Sequence, residues 1–334
     1  QEQLQSLKTR VTSFCSLCQS CLSDVDAGVR EQVCRGWGDV EGVSGLALSP
    51  SLCPQAFMVL SDLLLVFGPQ LPRDGRETLA PLVLLPEAGL QSQLAAFLMD
   101  HVFHHACSHE ELSAMGTSPP RIPEVSPGMP VPPLSPPASA EDSENHIEEL
   151  HQRRVLLAGF CKLIIYDVLE LSAASDVFKH YAKVGGTQEA CPAGPAAAWG
   201  HQALSPPPQF YSDYGDIIKE TLNCTRQIDR QEWARTLLLS LQQQLMTELL
   251  LQQGPEIRAA EAFLEIRDLA RHFSLLFSLQ QLRNRPALLS MHKEGIQFAF
   301  QEPPGPGPGL PPLNLPFLEV LSEFSPRLLR PDKA

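Results

Sequence analysis

No stretch of this 334-residue chain is apolar and uncharged over the ~18 residues that a membrane-spanning helix needs. Period-2 alternation of useful length is also missing, as is any strand–helix alternation, which excludes β and α/β readings. There is no GxSxG, no GxxxxGK[ST], no GxGxxG at a strand-to-helix turn and no carboxylate pair in a pocket-forming context, so the chain is read as non-enzymatic. Lys183-Val-Gly-Gly-Thr187 lacks the spacing of a phosphate loop. Basic residues are scarce, 25 against 38 acidic, for a net charge of −13. The deficit is even, with 7 basic and 14 acidic residues over 1–140, and 18 and 24 over 141–334. Any DNA contact must therefore come from a local basic strip, while an acidic surface suits a partner with a basic segment. A leader with a charged and an apolar region is missing too, and the chain starts at Gln1, so it reads as an internal piece of a longer protein.

Hydrophobic content is 43% and charged content 19%, the composition of a folded protein with a sizeable core. Nine cysteines lie scattered through apolar helical patterns, which favours reduced thiols in the cytosol or nucleus. Cys15, Cys18 and Cys21 form a CxxCxxC, yet Cys21 is followed by Leu-Ser-Asp rather than a fourth ligand. Their spacing puts all three on one helix flank beside Leu7, Val11 and Phe14, as core thiols. His101, His104, His105 and His109 with Cys107 have zinc-compatible spacing but no HEXXH and no downstream helix. No metal and no cofactor are assigned, and no small-molecule substrate.

Leu4, Leu7, Val11, Phe14, Cys18 and Leu22 recur at threes and fours and predict a first helix. Ala56–Phe67 predicts another, followed by Ala80–Leu85 and Leu90–Cys107. Residues 115–140 carry nine prolines and read as a linker. Its PxxP spacings suit SH3 or WW grooves, but chance spacing in a proline-dense loop accounts for them as well. From Glu144, helices are predicted over 145–171, 173–182 continuing at 210–227, 231–252, 256–279 and 286–299. Gly254-Pro255 serves as the stop and start between two of them. The loop Pro303–Pro312 precedes a last helix at Pro316–Leu321. The organisation is helical repeats over 1–111, a proline-rich linker at 112–143, helical repeats over 144–300, a Pro/Gly loop at 301–315 and a terminal helix over 316–334. Helix pairs of about 40 residues suggest a HEAT-type α-solenoid.

Two tracts, 33–55 and 184–209, interrupt otherwise continuous helical patterns. Each begins with Val, whose codons start with GT, and ends after pyrimidine-rich codons on Gln, whose codon can be CAG. That is the form of a translated intron; the bland alternative is a pair of ordinary insert loops. Removing them gives DVDAGVREQ-AFMVLSDLLLVF and DVFKHYAK-FYSDYGDIIKETL. These joined runs, together with MHKEGI at Met291–Ile296 and FLEVLSEFSPRLLR at Phe317–Arg330, resemble the stromal antigen family of cohesin subunits. The opening FCSLCQSCLSDVD resembles the family's meiosis-specific branch. In the family the 112–143 region is a shorter polar loop, so its length here is a departure.

The resemblance implies an all-α, HEAT-repeat-like α-solenoid fragment with long disordered inserts and no catalytic activity. It implies binding of the kleisin subunit of cohesin, through it the SMC ring, with chromatin and DNA as further partners, in the nucleus and on chromosomes, in support of sister-chromatid cohesion in meiosis. On the helix from Phe210, the apolar set is Phe210, Tyr214, Ile217, Ile218 and Leu222, which leaves Tyr211, Asp213, Asp216, Lys219 and Glu220 outward. An acidic, Tyr-flanked face can hold a partner's Lys or Arg, and equally can be a solvated face with an Asp216–Lys219 pair. The resemblance selects the first and assigns kleisin contacts to Tyr211, Asp213, Asp216 and Lys219, with Lys293 near the same groove. Lys162, Lys179, Lys183, Arg226 and Arg230 are candidate DNA-facing cations. The rival functions are a generic HEAT-type adaptor and a non-functional fragment carrying retained-intron inserts.

Overall fold

A computed structural model describes residues 2–23, 52–104, 140–181, 214–252, 257–258, 260–278, 280–301 and 312–333. Among the described residues all regular structure is helical, and the all-α reading holds. The chain forms two compact units. One holds Gln1–Val66, Thr78–Leu82 and Glu87–Phe160; the other holds Phe67–Glu77, Val83–Pro86 and Cys161–Ala334.

The first unit is built on α1 (Glu2–Ser23), which packs against α2 (Leu52–Val66) and α3 (Ala88–Leu98). The threes-and-fours pattern turns Cys15, Cys18 and Cys21 inward, and Leu17 packs with Cys21 and Ala56. Phe57 and Phe97 stack with centroids 5.2 Å apart, and Gln19 donates to Gln93 Oε1 at 2.7 Å across α1 and α3. A π-helical turn, Met99–His104, follows α3. α2 starts four residues inside the 33–55 tract, with Pro54 buried in its first turn. Proline is tolerated there because a first-turn N–H has no intrahelical partner to lose. The remaining described elements begin with α4 (Ala140–Ile165), which supplies residues up to Phe160 to this unit.

The second unit contains α5 (Ser175–Phe178), α6 (Gly215–Ile228), α7 (Arg230–Gln252), α8 (Glu261–Ser278), α9 (Gln281–Ala299) and α10 (Phe317–Ser322). The expected single helix over 145–171 ends instead at Ile165. Asp167 takes φ +61, its N–H donates to the Ile164 carbonyl at 3.1 Å, and Val168 N–H reaches the Leu163 carbonyl at 2.9 Å. This is a Schellman stop, and both Val168 and Leu163 are buried. Asp accepts the left-handed conformation more readily than most residues. A short 3-10 turn, Leu171–Ala174, leads into α5. The expected 256–279 helix is shorter at its start, and the expected 286–299 helix begins earlier, at Gln281. The Gly254-Pro255 junction lies outside the described residues.

α7 is the centre of this unit. Trp233, Ala234, Leu237, Leu238, Leu241 and Leu245 are buried around most of its circumference, because α5, α6, α8 and α9 all pack on it. Trp233 meets Phe277 at 4.8 Å, and Phe277 meets Phe324 edge-on at 5.9 Å. Gly295 lets α9 approach α10 closely, since a Cβ there would lie 2.7 Å from Leu321 Cδ2. Neighbours in sequence are neighbours in space, the local arrangement of a HEAT-like solenoid fragment.

Candidate partner-binding surface

α6 divides its residues by face. Tyr214, Ile218, Thr221, Leu222 and Thr225 follow the three-four spacing and are buried. The two threonine hydroxyls are satisfied within the helix, donating to the Ile217 and Thr221 carbonyls at 2.7 Å each. The same register leaves Asp216, Lys219 and Glu220 exposed. Asp216 sits in the first turn, where the helix dipole favours a carboxylate. Cys224 Sγ lies 3.4 Å from Glu220 Oε1; burial first, then that carboxylate, raise its thiol pKa. Tyr211 and Asp213 lie outside the described residues, as does the expected junction between 173–182 and 210–227.

Lys293 is exposed on α9, between the half-buried His292 and Glu294. Glu294 is engaged: Arg235 Nε reaches it at 3.3 Å and Ser290 Oγ at 3.0 Å. Arg235 also reaches Glu232 at 2.9 Å, so one guanidinium links α7 to α9. Those hydrogen bonds raise the Arg235 pKa and lower that of Glu294, Glu294 and Arg235 respectively being the leading cause. The Glu232–Arg235 half is readable from i, i+3 spacing, whereas Glu294 is 59 residues away and gives no local signal.

The candidate DNA-facing cations have different surroundings. Lys162 is exposed on α4, and Lys179 is paired with Asp176 at 2.5 Å. Lys183 lies outside the described residues. Arg226 donates to the Leu276 carbonyl at 3.1 Å and to Asn223, with its guanidinium 5.8 Å from the Trp233 ring centroid. Burial first, then Arg230, lower its pKa. Arg230 donates to Gln280 Oε1 at 3.0 Å. These two arginines fasten the α6–α7 turn onto the α8–α9 turn.

The three thiols of α1 are buried, free cysteines, and burial leads in pushing Cys18 up to about 12. Burial on one flank of α1 makes all three thiols part of the core packing. His101 stacks on Phe97 at 3.9 Å, and its Nδ1 is 3.0 Å from the Phe97 carbonyl oxygen. The side chains of His104, His105, Cys107 and His109 lie outside the description. No group of three metal-ligating side chains converges among the described residues.

Residues 230–334 match the family described as the STAG protein C-terminal domain. The whole chain is 47% identical to Cohesin subunit SA-3 of Homo sapiens, of which it covers 21%. Over 99% of its length it is 48% identical to Cohesin subunit SA-3 of Mus musculus and 42% identical to Cohesin subunit SA-1 of Xenopus laevis, covering 21% of each. The chain thus spans about a fifth of the length of the curated relatives it matches. Identity is sustained from one end of the chain to the other and is joined to the domain match over 230–334, so what the chain is similar to along its whole length is a segment of the stromal antigen subunits of cohesin.

Proposed function

We propose that the chain is a non-catalytic scaffold that binds the kleisin subunit of cohesin and supports sister-chromatid cohesion in meiosis. The observation that carries this reading is the outward face of α6. Asp216, Lys219 and Glu220 are exposed on a helix whose opposite face is fully committed to the core. That face can be altered without touching packing, as a docking surface requires. Asp213 and Tyr211 extend it in the sequence, and Lys293 is the proposed second contact on α9. A rigid helical array suits a largely disordered partner, which gains affinity from many modest contacts along an extended surface. Residence in the nucleus, association with the SMC ring and proximity to chromatin follow from the same reading.

The test is retention of a recombinant meiotic kleisin on the immobilised chain. Asp216→Lys and Lys293→Glu are each expected to weaken it about tenfold, as truncation of a charged interface contact of more than 1 kcal/mol does. Unchanged retention by both, with unchanged melting, would leave a generic adaptor. For DNA, the arginines that fasten two turns contribute little; Lys162 is the exposed cation among the described candidates, and it predicts a shallow salt dependence.

A further inference from the structure

A cleft of about 240 Å³ opens in the second unit along α7, between the 3-10 turn at Leu171–Ala174 and α9. Its walls are Ser172, Glu232, Arg235, Thr236, Gln242 and Glu294, over Leu238 and Leu239. At ~30 Å³ per water in the liquid it holds a handful of waters. It is smaller than the ~300–1,000 Å³ of sites that enclose a cofactor or drug-sized ligand. Its volume is that of one large side chain.

The wall chemistry narrows the occupant. Thr236 Oγ1 donates to the Glu232 carbonyl at 2.8 Å, which removes its hydroxyl from the cleft's chemistry, and Ser172 Oγ donates to Glu170 at 3.4 Å. Glu294 is held by Arg235 and Ser290, and Glu232 by Arg235. Apart from Gln242, the polar walls therefore have partners already, and the floor is leucine, so a charged guest would gain little for its lost hydration. Arg235 differs from the rest. Carboxylates on two sides fix its guanidinium in one plane, yet its side chain is 57% exposed. A planar cation held rigid and half in solvent is a stacking platform for an aromatic ring. The Gln242 side chain has no hydrogen-bond partner among the described residues, and its amide can meet a peptide group beside that ring.

We propose that this cleft seats one aromatic side chain of an extended partner segment, stacked on Arg235 and resting on Leu238 and Leu239. The inference rests on the kleisin reading and names the anchor within it. An aromatic anchor that fills a small pocket on its partner is the form that binding hot spots take.

The experiment uses the full chain and fluorescein-labelled peptides tiled along a meiotic kleisin, each aromatic residue then replaced by Ala, with affinity read by anisotropy. Three variants accompany it: Leu239→Trp to fill the cleft, Arg235→Lys to keep charge but lose the planar platform, and Asp216→Lys as the control on α6. One tile is expected to lose about tenfold in affinity when a single aromatic becomes Ala, and a similar amount with Leu239→Trp on the protein. Arg235→Lys is expected to weaken that tile severalfold while leaving the Ala-substituted peptide unaffected. If Leu239→Trp melts like the parent and every tile and the intact kleisin bind it unchanged, while Asp216→Lys weakens binding, the cleft assignment is wrong and the kleisin reading stands. If neither a tile nor the intact kleisin binds the parent chain, both are wrong.

Discussion

His292 shows how a single side chain sets a condition on the fold. Its ring is packed edge-on against Phe324 at 6.3 Å, and its Nε2 is buried with no hydrogen-bond partner among the described residues. Burial holds its pKa below the ordinary 6.5, because the charged form would sit in an apolar wall. The unfolded chain therefore binds more protons than the folded one between the folded pKa and 6.5, and stability rises with pH across that window. Acidification from neutrality should lower the urea midpoint, and the loss should level off below the folded pKa. His292→Phe, which keeps the ring against Phe324, should remove that part of the pH dependence while leaving neutral-pH stability nearly unchanged. Equal slopes for parent and variant over pH 5–7 would mean that other groups set it. The exposed residues of α6 were readable from sequence because they are the complement of a 3.6-period apolar face. The partners of Arg226, Arg230 and Arg235 were not, since Leu276, Gln280 and Glu294 lie 50 to 59 residues away.

At the scale of elements, the junctions carry the specificity. Asp229 ends α6 in an extended conformation, φ −142 and ψ 111, and begins α7. Its Oδ1 accepts from the N–H groups of Gln231 at 2.8 Å and Glu232 at 3.0 Å, as an N-cap does. Because α7 lies under four other helices, loosening its first turn reaches Trp233 directly. Asp229→Ala should cost about 1 kcal/mol, and Asp229→Asn much less, as a lower urea midpoint at constant slope. Asp229 is exposed, so no cavity confounds the measurement. Helix existence was legible here because periodicity reports which face is buried. The ends were not. The helical pattern runs on past Tyr166 and Asp167, and α4 stops there because the N–H groups of Asp167 and Val168 turn back to the Ile164 and Leu163 carbonyls. α7 gives little facial contrast because α5, α6, α8 and α9 pack around most of it and apolar residues also stand exposed near its end.

For the molecule as a whole, the question is what the tracts 33–55 and 184–209 do, and the energetics separate the two answers. As ordinary surface loops they would be cheap, since each doubling of loop length costs only about 0.6 kcal/mol of closure entropy. Set within helices they are not cheap, because each interruption makes the chain nucleate a second helix where one would propagate. The first tract is a sharper test than it looked from sequence, since its last residues form the opening turn of α2 and Pro54 is buried there. If the tracts are foreign, joining Gln32 to Ala56 supplies α2 with the DVDAGVREQ run in place of that turn. Joining Lys183 to Phe210 likewise brings Tyr211 and Asp213 into register with the exposed face of α6. The shortened chain should then melt cooperatively, at least as high as the full one, with ~1 kcal/mol of gain appearing as about 2–4 °C. It should also retain kleisin more tightly, because its binding helix is whole. A lower melting temperature on excising 33–55 would instead make Pro54 and its neighbours native structure. Sequencing the messenger RNA gives the independent answer, since a transcript population that carries both tracts throughout contradicts the intron reading whatever the melting curves show.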